Sequence, residues 1–142
     1  MPRPQRLPIG LALAQAAKTV SRAFDDALAA AGGSLPAWLI MISLKTRQLG
    51  NQRELAEAIG IRGATLTHHL NAMENEGLLT RTRDPHNRRI HQVELTPAGE
   101  TLFRRMATAA TDFDQRLRTG VDDEQIAVVE TLLARLAENV AP

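Results

Sequence analysis

Four arginines, Arg81, Arg83, Arg88 and Arg89, crowd into positions 81–89, opposed within that stretch by Asp84 alone. Planar guanidinium groups gathered on one short segment suit phosphate oxygens or a narrow minor groove. Just upstream lie Thr65, Thr67, His68, His69 and Asn71, and no acid follows Glu57 until Glu74. Hydroxyl, imidazole and amide groups can meet base edges and phosphates, where a mid-helix carboxylate would mostly repel. This is binding chemistry, and its candidate DNA contacts are Arg62, Thr65, Thr67, His68, His69, Asn71, Arg81, Arg83, Arg88 and Arg89. For Arg81 and Arg83 a second reading stands beside the first: strand-face residues held by neighbouring acids.

All four histidines, His68, His69, His86 and His91, lie in the same region. His68 and His69 diverge by about 100° on a helix, so they do not converge on one ion. No carboxylate or further histidine has metal-ligand spacing, so no metal and no cofactor is expected. Protonated imidazoles would instead add to phosphate binding at lower pH. There is no cysteine, which removes disulfides, thiolate nucleophiles, thiol redox sensing and Cys-ligated zinc. Nothing pairs an acid or histidine with a nucleophile or a glycine-rich phosphate loop, so no enzyme is expected.

The elements that must carry these residues are mostly helical. The chain has 142 residues, enough for one domain with its own core. Apolar residues make up 44% and charged residues 23%, a soluble globular composition. The net charge of +1 makes any basic patch a local matter. Alanine and leucine dominate and aromatic residues reach only 3%, which favours helix. No run approaches the ~18 apolar residues of a membrane span, and Leu7 to Ala17, broken by Gln15 and followed by Lys18 and Arg22, makes a poor signal peptide. A cytoplasmic protein without membrane contact is expected.

Ile9 to Ala31 reads as a first helix, with Leu13, Ala17, Val20, Phe24 and Leu28 at helical spacing and Gly32-Gly33 as its stop. A second begins near Pro36, carries Trp38, Met41 and Ile42, and ends near Gly50. Asn51 and Glu54 have capping-box spacing for a short helix ending at Gly60. Three residues later another helix follows, with Leu66, Leu70 and Met73 as its buried stripe and Gly77 as its end. On that wheel Ala64, Thr65, His68, Asn71 and Ala72 face away from the core, and Thr67 and His69 flank the stripe. The period then changes to alternation: Leu79 to Arg83 and Ile90 to Leu95 form a hairpin about Asp84-Pro85-His86-Asn87. Thr96-Pro97 caps a helix to Arg118 that buries Phe103, Met106, Ala110, Phe113 and Leu117. Asp122 caps a last one, whose Ile126, Val129, Leu133, Leu136 and Val140 are spaced nearly as a coiled-coil seam.

The fold class that follows is mainly α with a small β-hairpin wing: a winged helix-turn-helix with long N- and C-terminal helices. A helix-turn-helix places its second helix in the major groove, and a basic hairpin directly after it is the winged-helix order. With this order established, the chain resembles the MarR-type winged helix-turn-helix transcriptional regulators. The resemblance runs through Gln52-Arg53-Glu54-Leu55-Ala56-Glu57-Ala58-Ile59-Gly60-Ile61, then Ala64-Thr65-Leu66-Thr67 and Leu70, then Glu76-Gly77-Leu78-Leu79. It continues through Arg83-Asp84-Pro85-His86-Asn87-Arg88-Arg89 to Val93-Glu94-Leu95-Thr96-Pro97-Ala98-Gly99.

The resemblance implies a homodimer on a roughly palindromic double-stranded DNA site. Residues 1–33 and 97–142 would be the dimerisation region, and 34–96 the DNA-binding lobe. Thr65 and Thr67 would contact DNA from the reading helix, and the wing arginines would reach the minor groove. Many such regulators are repressors released by a small phenolic or otherwise lipophilic effector bound between the two regions. Phe24, Trp38, Met41, Phe103 and Met106 are the residues that could line such a cleft, and each reads more readily as plain core. Three positions depart from the family. His68 stands where arginine is common and gives up a permanent charge. Asn87 stands where the wing often has aspartate, which makes this wing more basic. Arg62-Gly63 replaces a serine-type helix start, a weaker cap. The competing reading is a winged-helix protein-interaction adaptor that does not bind DNA.

Overall fold

The computed structural model describes residues 6–47, 51–83, 86 and 91–142. In order it forms α1 (Ile9–Ala30), α2 (Leu35–Arg47), α3 (Gln52–Ile59), α4 (Gly63–Asn75), β1 (Leu79–Arg83), β2 (His91–Leu95), α5 (Pro97–Leu117) and α6 (Asp123–Val140). Every element expected from periodicity and capping is present. The end of the second helix near Gly50 and the tip of the hairpin, His86 apart, lie outside the described residues.

The helix ends follow from local chemistry. The amide of Gly33 donates to the Leu28 carbonyl and that of Gly32 to Ala29, closing α1 in a Schellman motif. Ser34 Oγ accepts from the Ala37 amide and starts α2. Asn51 Oδ1 accepts from the Glu54 amide at 2.9 Å, the asparagine half of the expected capping box. Gly60, at φ 79°, turns the chain from α3 toward α4 in the left-handed region that side chains with a Cβ avoid. At α6 both halves of a capping box form between Asp122 and Gln125.

The chain divides into two compact units, Met1–Ala110 and Thr111–Pro142, the boundary falling inside α5. The first unit holds the core. Leu28 of α1, Ile40 and Met41 of α2, Leu55 of α3, Leu66 and Leu70 of α4, Leu79 of β1 and Met106 of α5 are essentially inaccessible. Leu66, Leu70 and Met73 bury one face of α4, so its opposite face is held outward by packing rather than by propensity. β1 and β2 pair antiparallel with Leu79 opposite Leu95 and Arg83 opposite His91. An isolated bridge between Asn51 and Gln92 ties the hairpin to the start of α3.

The base of the hairpin is locked to α5. Thr96 Oγ1 donates to the Gly77 carbonyl at 2.6 Å and accepts from the Gly99 amide at 3.1 Å. The Thr96 amide donates to the Leu78 carbonyl at 3.0 Å. A Cβ added at Gly99 would sit 2.0 Å from the Leu78 carbonyl oxygen, so this approach requires glycine.

The second unit contains the end of α5 and all of α6. No residue of α6 is fully buried. Of the expected seam, Ile126 and Leu136 are half-buried while Val129, Leu133 and Val140 are exposed. No single helix among the described residues is long and apolar enough to cross a membrane.

Candidate nucleic-acid interface

The candidate contacts gather on α4 and the hairpin that follows it. Arg62 is the N-cap residue of α4 and makes no side-chain capping bond, and the first turn carries no acid. No carboxylate of that turn therefore offsets the positive end of the helix dipole. Thr65, His68 and Asn71 are exposed, as are Ala64 and Ala72, while Thr67 and His69 are half-buried. Wheel geometry anticipated this division. The His68 and His69 rings lie 5.7 Å apart in a tilted arrangement.

The arginines separate into different roles. The side chain of Arg81 is 15% exposed, against 40% for Glu74, whose carboxylate it meets at 3.2 Å. Its Nε donates to Glu74 Oε2 at 3.3 Å, and its Nη1 to Gln52 Oε1 at 3.4 Å. Its Nη2 donates to Glu74 Oε1 at 3.2 Å and also to Asn71 Oδ1. One guanidinium thus joins β1, α3 and α4. The reading of Arg81 as a strand-face residue held by an acid describes this geometry. Arg83 is exposed at the outer end of β1. Arg88 and Arg89 lie outside the described residues.

Thr67 is also engaged within the protein. Its Oγ1 donates to the Gly63 carbonyl at 2.9 Å and accepts from Gln52 Nε2 at 3.3 Å. Sequence reasoning does not single out Gln52. It occupies the first position of α3, 15 residues from Thr67 and 29 from Arg81, and no local pattern signals such partners.

The residues expected around an effector fall into two groups. Met41 and Met106 are fully buried in the core. Phe24, Trp38 and Phe103 are half-buried against it. Trp38 and Phe103 stack with centroids 5.7 Å apart and planes 16° from parallel. Lys45 Nζ lies 5.6 Å from the Phe103 centroid and pairs with the Glu100 carboxylate. A cavity of about 210 Å³ opens elsewhere, bordered by Gly33, Pro36, His69, Ala72, Glu76 and Leu102 among others. None of the five expected effector residues borders that cavity. Among the described residues, no three His, Cys, Asp or Glu side chains are placed to share a metal ion.

Residues 34–91 match the model of the MarR family. Among solved structures, the transcriptional regulator PA3341 is 29% identical, with a TM-score of 0.74 over 94% of this chain and 98% of that one. A mutant MarR from E. coli complexed with operator DNA is 19% identical, with a TM-score of 0.80 over 92% of this chain and 94% of that one. BpsR of Bordetella bronchiseptica, whose DNA binding is regulated by 6-hydroxynicotinic acid, is 21% identical, with a TM-score of 0.77 over 91% and 98%. The last two likenesses bear on fold alone.

Proposed function

Starting from the MarR-family domain that residues 34–91 form, we propose that this protein is a dimeric, sequence-specific DNA-binding transcriptional regulator. The observation that carries the reading is the exposed face of α4. It holds Thr65, His68 and Asn71, has no acid in its first turn, and is followed directly by the arginine-bearing hairpin. That face enters a major groove, and Arg83, Arg88 and Arg89 of the wing follow phosphates or the adjacent minor groove. Residues 34–96 form the DNA-binding lobe. Residues 1–33 and 97–142 form the dimerisation region, which sets two lobes on a roughly palindromic site.

The regulator acts as a repressor and is released by a small phenolic or lipophilic effector. The half-buried Trp38–Phe103 stack supports such a site, since it offers an aromatic face beside the Lys45–Glu100 ion pair. The small-molecule control named for BpsR is consistent with it. Trp38 is the single tryptophan, so its fluorescence reports the site directly. Salicylate, as a phenolic probe, is expected to quench that fluorescence and weaken DNA binding over the same concentration range. Release from DNA without quenching would place the effector elsewhere.

The wing supplies the test of DNA binding. Replacing Arg88 and Arg89 together with alanine should weaken binding to every duplex. It should also lower the salt-dependence slope of the dimer by about four, because two arginines in each protomer would otherwise each neutralise one phosphate. The variant should keep the oligomeric state of the parent. A protein-interaction adaptor would show no salt-sensitive duplex binding in either form.

A further inference from the structure

Arg81 carries five N–H donors and no acceptor, so each atom facing it must be an oxygen. That rule fixes two amides. Gln52 turns Oε1 to Arg81, which leaves its NH2 for Thr67 Oγ1. Thr67, having accepted that bond, spends its one proton on the Gly63 carbonyl. Asn71 turns Oδ1 to Arg81, and its NH2 is the polar end left for a partner on an exposed position of α4.

We propose that Arg81 is a positioning residue that polarises the reading face of α4, so that Asn71 meets DNA as a hydrogen-bond donor and Thr67 as an acceptor. The inference rests on the DNA-binding reading and extends it to base choice. Bidentate reading of adenine requires an asparagine to present its oxygen to N6 and its nitrogen to N7 together. Here the oxygen is held against a guanidinium whose charge is met by Glu74, and the nitrogen leads. An NH2 group alone is best met by guanine, which offers two acceptors, N7 and O6, where adenine and thymine each offer one. Thr67, with its proton committed, has no donor for a phosphate and accepts from an exocyclic amino group. Arg81 itself neutralises no phosphate.

The test selects duplexes from a random-core double-stranded library with the full-length protein, then measures binding of the selected duplex by anisotropy. The parent should enrich guanine at one position per half-site, with about tenfold preference over adenine. Asn71→Asp should stay folded with an unchanged or higher Tm, because a carboxylate pairs with Arg81 more strongly than an amide does. It should nonetheless lose about tenfold or more in affinity and lose the guanine preference. Arg81→Ala should bind more weakly, relax that position toward adenine, and keep the parent's salt slope. A slope smaller by about two in Arg81→Ala, one phosphate in each half-site, would make Arg81 a phosphate contact and overturn the proposal. So would parent-like binding by Asn71→Asp, or an Asn71-dependent adenine in the parent's selected site. A parent that enriches no duplex overturns the regulator reading as well.

Discussion

Arg81 and Arg83 are alike in the sequence and unlike in the molecule, the first held against Glu74 and the second exposed. Counting charges on a hairpin gives the basicity of the segment and not which guanidinium is already satisfied. For Arg81 the answer depends on Gln52, Asn71 and Glu74, brought to it by α3 and α4. Legible in advance was the side of α4 each residue occupies, because burial of Leu66, Leu70 and Met73 is periodic. The hydrogen-bond state of Thr67 and Asn71 was not, because it depends on residues distant in the chain. The same limit separated the effector candidates, since spacing alone does not distinguish the fully buried Met41 and Met106 from the half-buried Trp38 and Phe103. At Gly99 the constraint is steric. A Cβ there meets the Leu78 carbonyl oxygen, a backbone atom that cannot swing aside. Gly99→Ala should lower stability by about 1–3 kcal/mol, the usual cost of overpacking. Denaturant unfolding measures it, and an unchanged midpoint would mean that the hairpin base shifts freely.

Elements were more legible than tertiary hydrogen bonds. Asn51, Thr96 and Asp122 each cap the helix they were expected to cap, since a cap is a local event between a side chain and an amide three residues on. The switch from helical spacing to alternation after Gly77 marked β1, which pairs with β2 from Leu79 opposite Leu95 to Arg83 opposite His91. The bridge from Asn51 to Gln92, which ties the hairpin to α3, has no sequence signal because it joins distant segments. Asp122→Ala removes the bond that Asp122 Oδ1 accepts from the Gln125 amide, while the backbone amide of residue 122 can still donate to Gln125 Oε1. The expected cost is about 1 kcal/mol, read as a lower unfolding midpoint, with Asp122→Asn recovering most of it. Equal destabilisation in both variants would show that charge at the helix start, rather than the capping bond, is what matters.

At the scale of the molecule, the helical ends leave apolar surface open. Val128, Val129, Leu132 and Leu133 of α6 are each at least 43% exposed, and Leu7, Ile9 and Leu11 near the N-terminus at least 47%. Surface of that kind is normally covered in an oligomer. Replacing Val129 and Leu133 with glutamate should convert the protein to monomer in sedimentation and weaken DNA binding strongly, while its far-ultraviolet dichroism stays helical. A variant that remains dimeric would move the subunit interface away from this face of α6. The measurement that addresses the central claim most directly is a fluorescence-anisotropy titration of the unmodified protein onto duplex DNA from upstream of its own gene. It would be run at two salt concentrations beside an unrelated duplex. Tight binding that prefers the upstream DNA and falls steeply with salt is the predicted result; equally weak binding to both duplexes across several upstream fragments would contradict it.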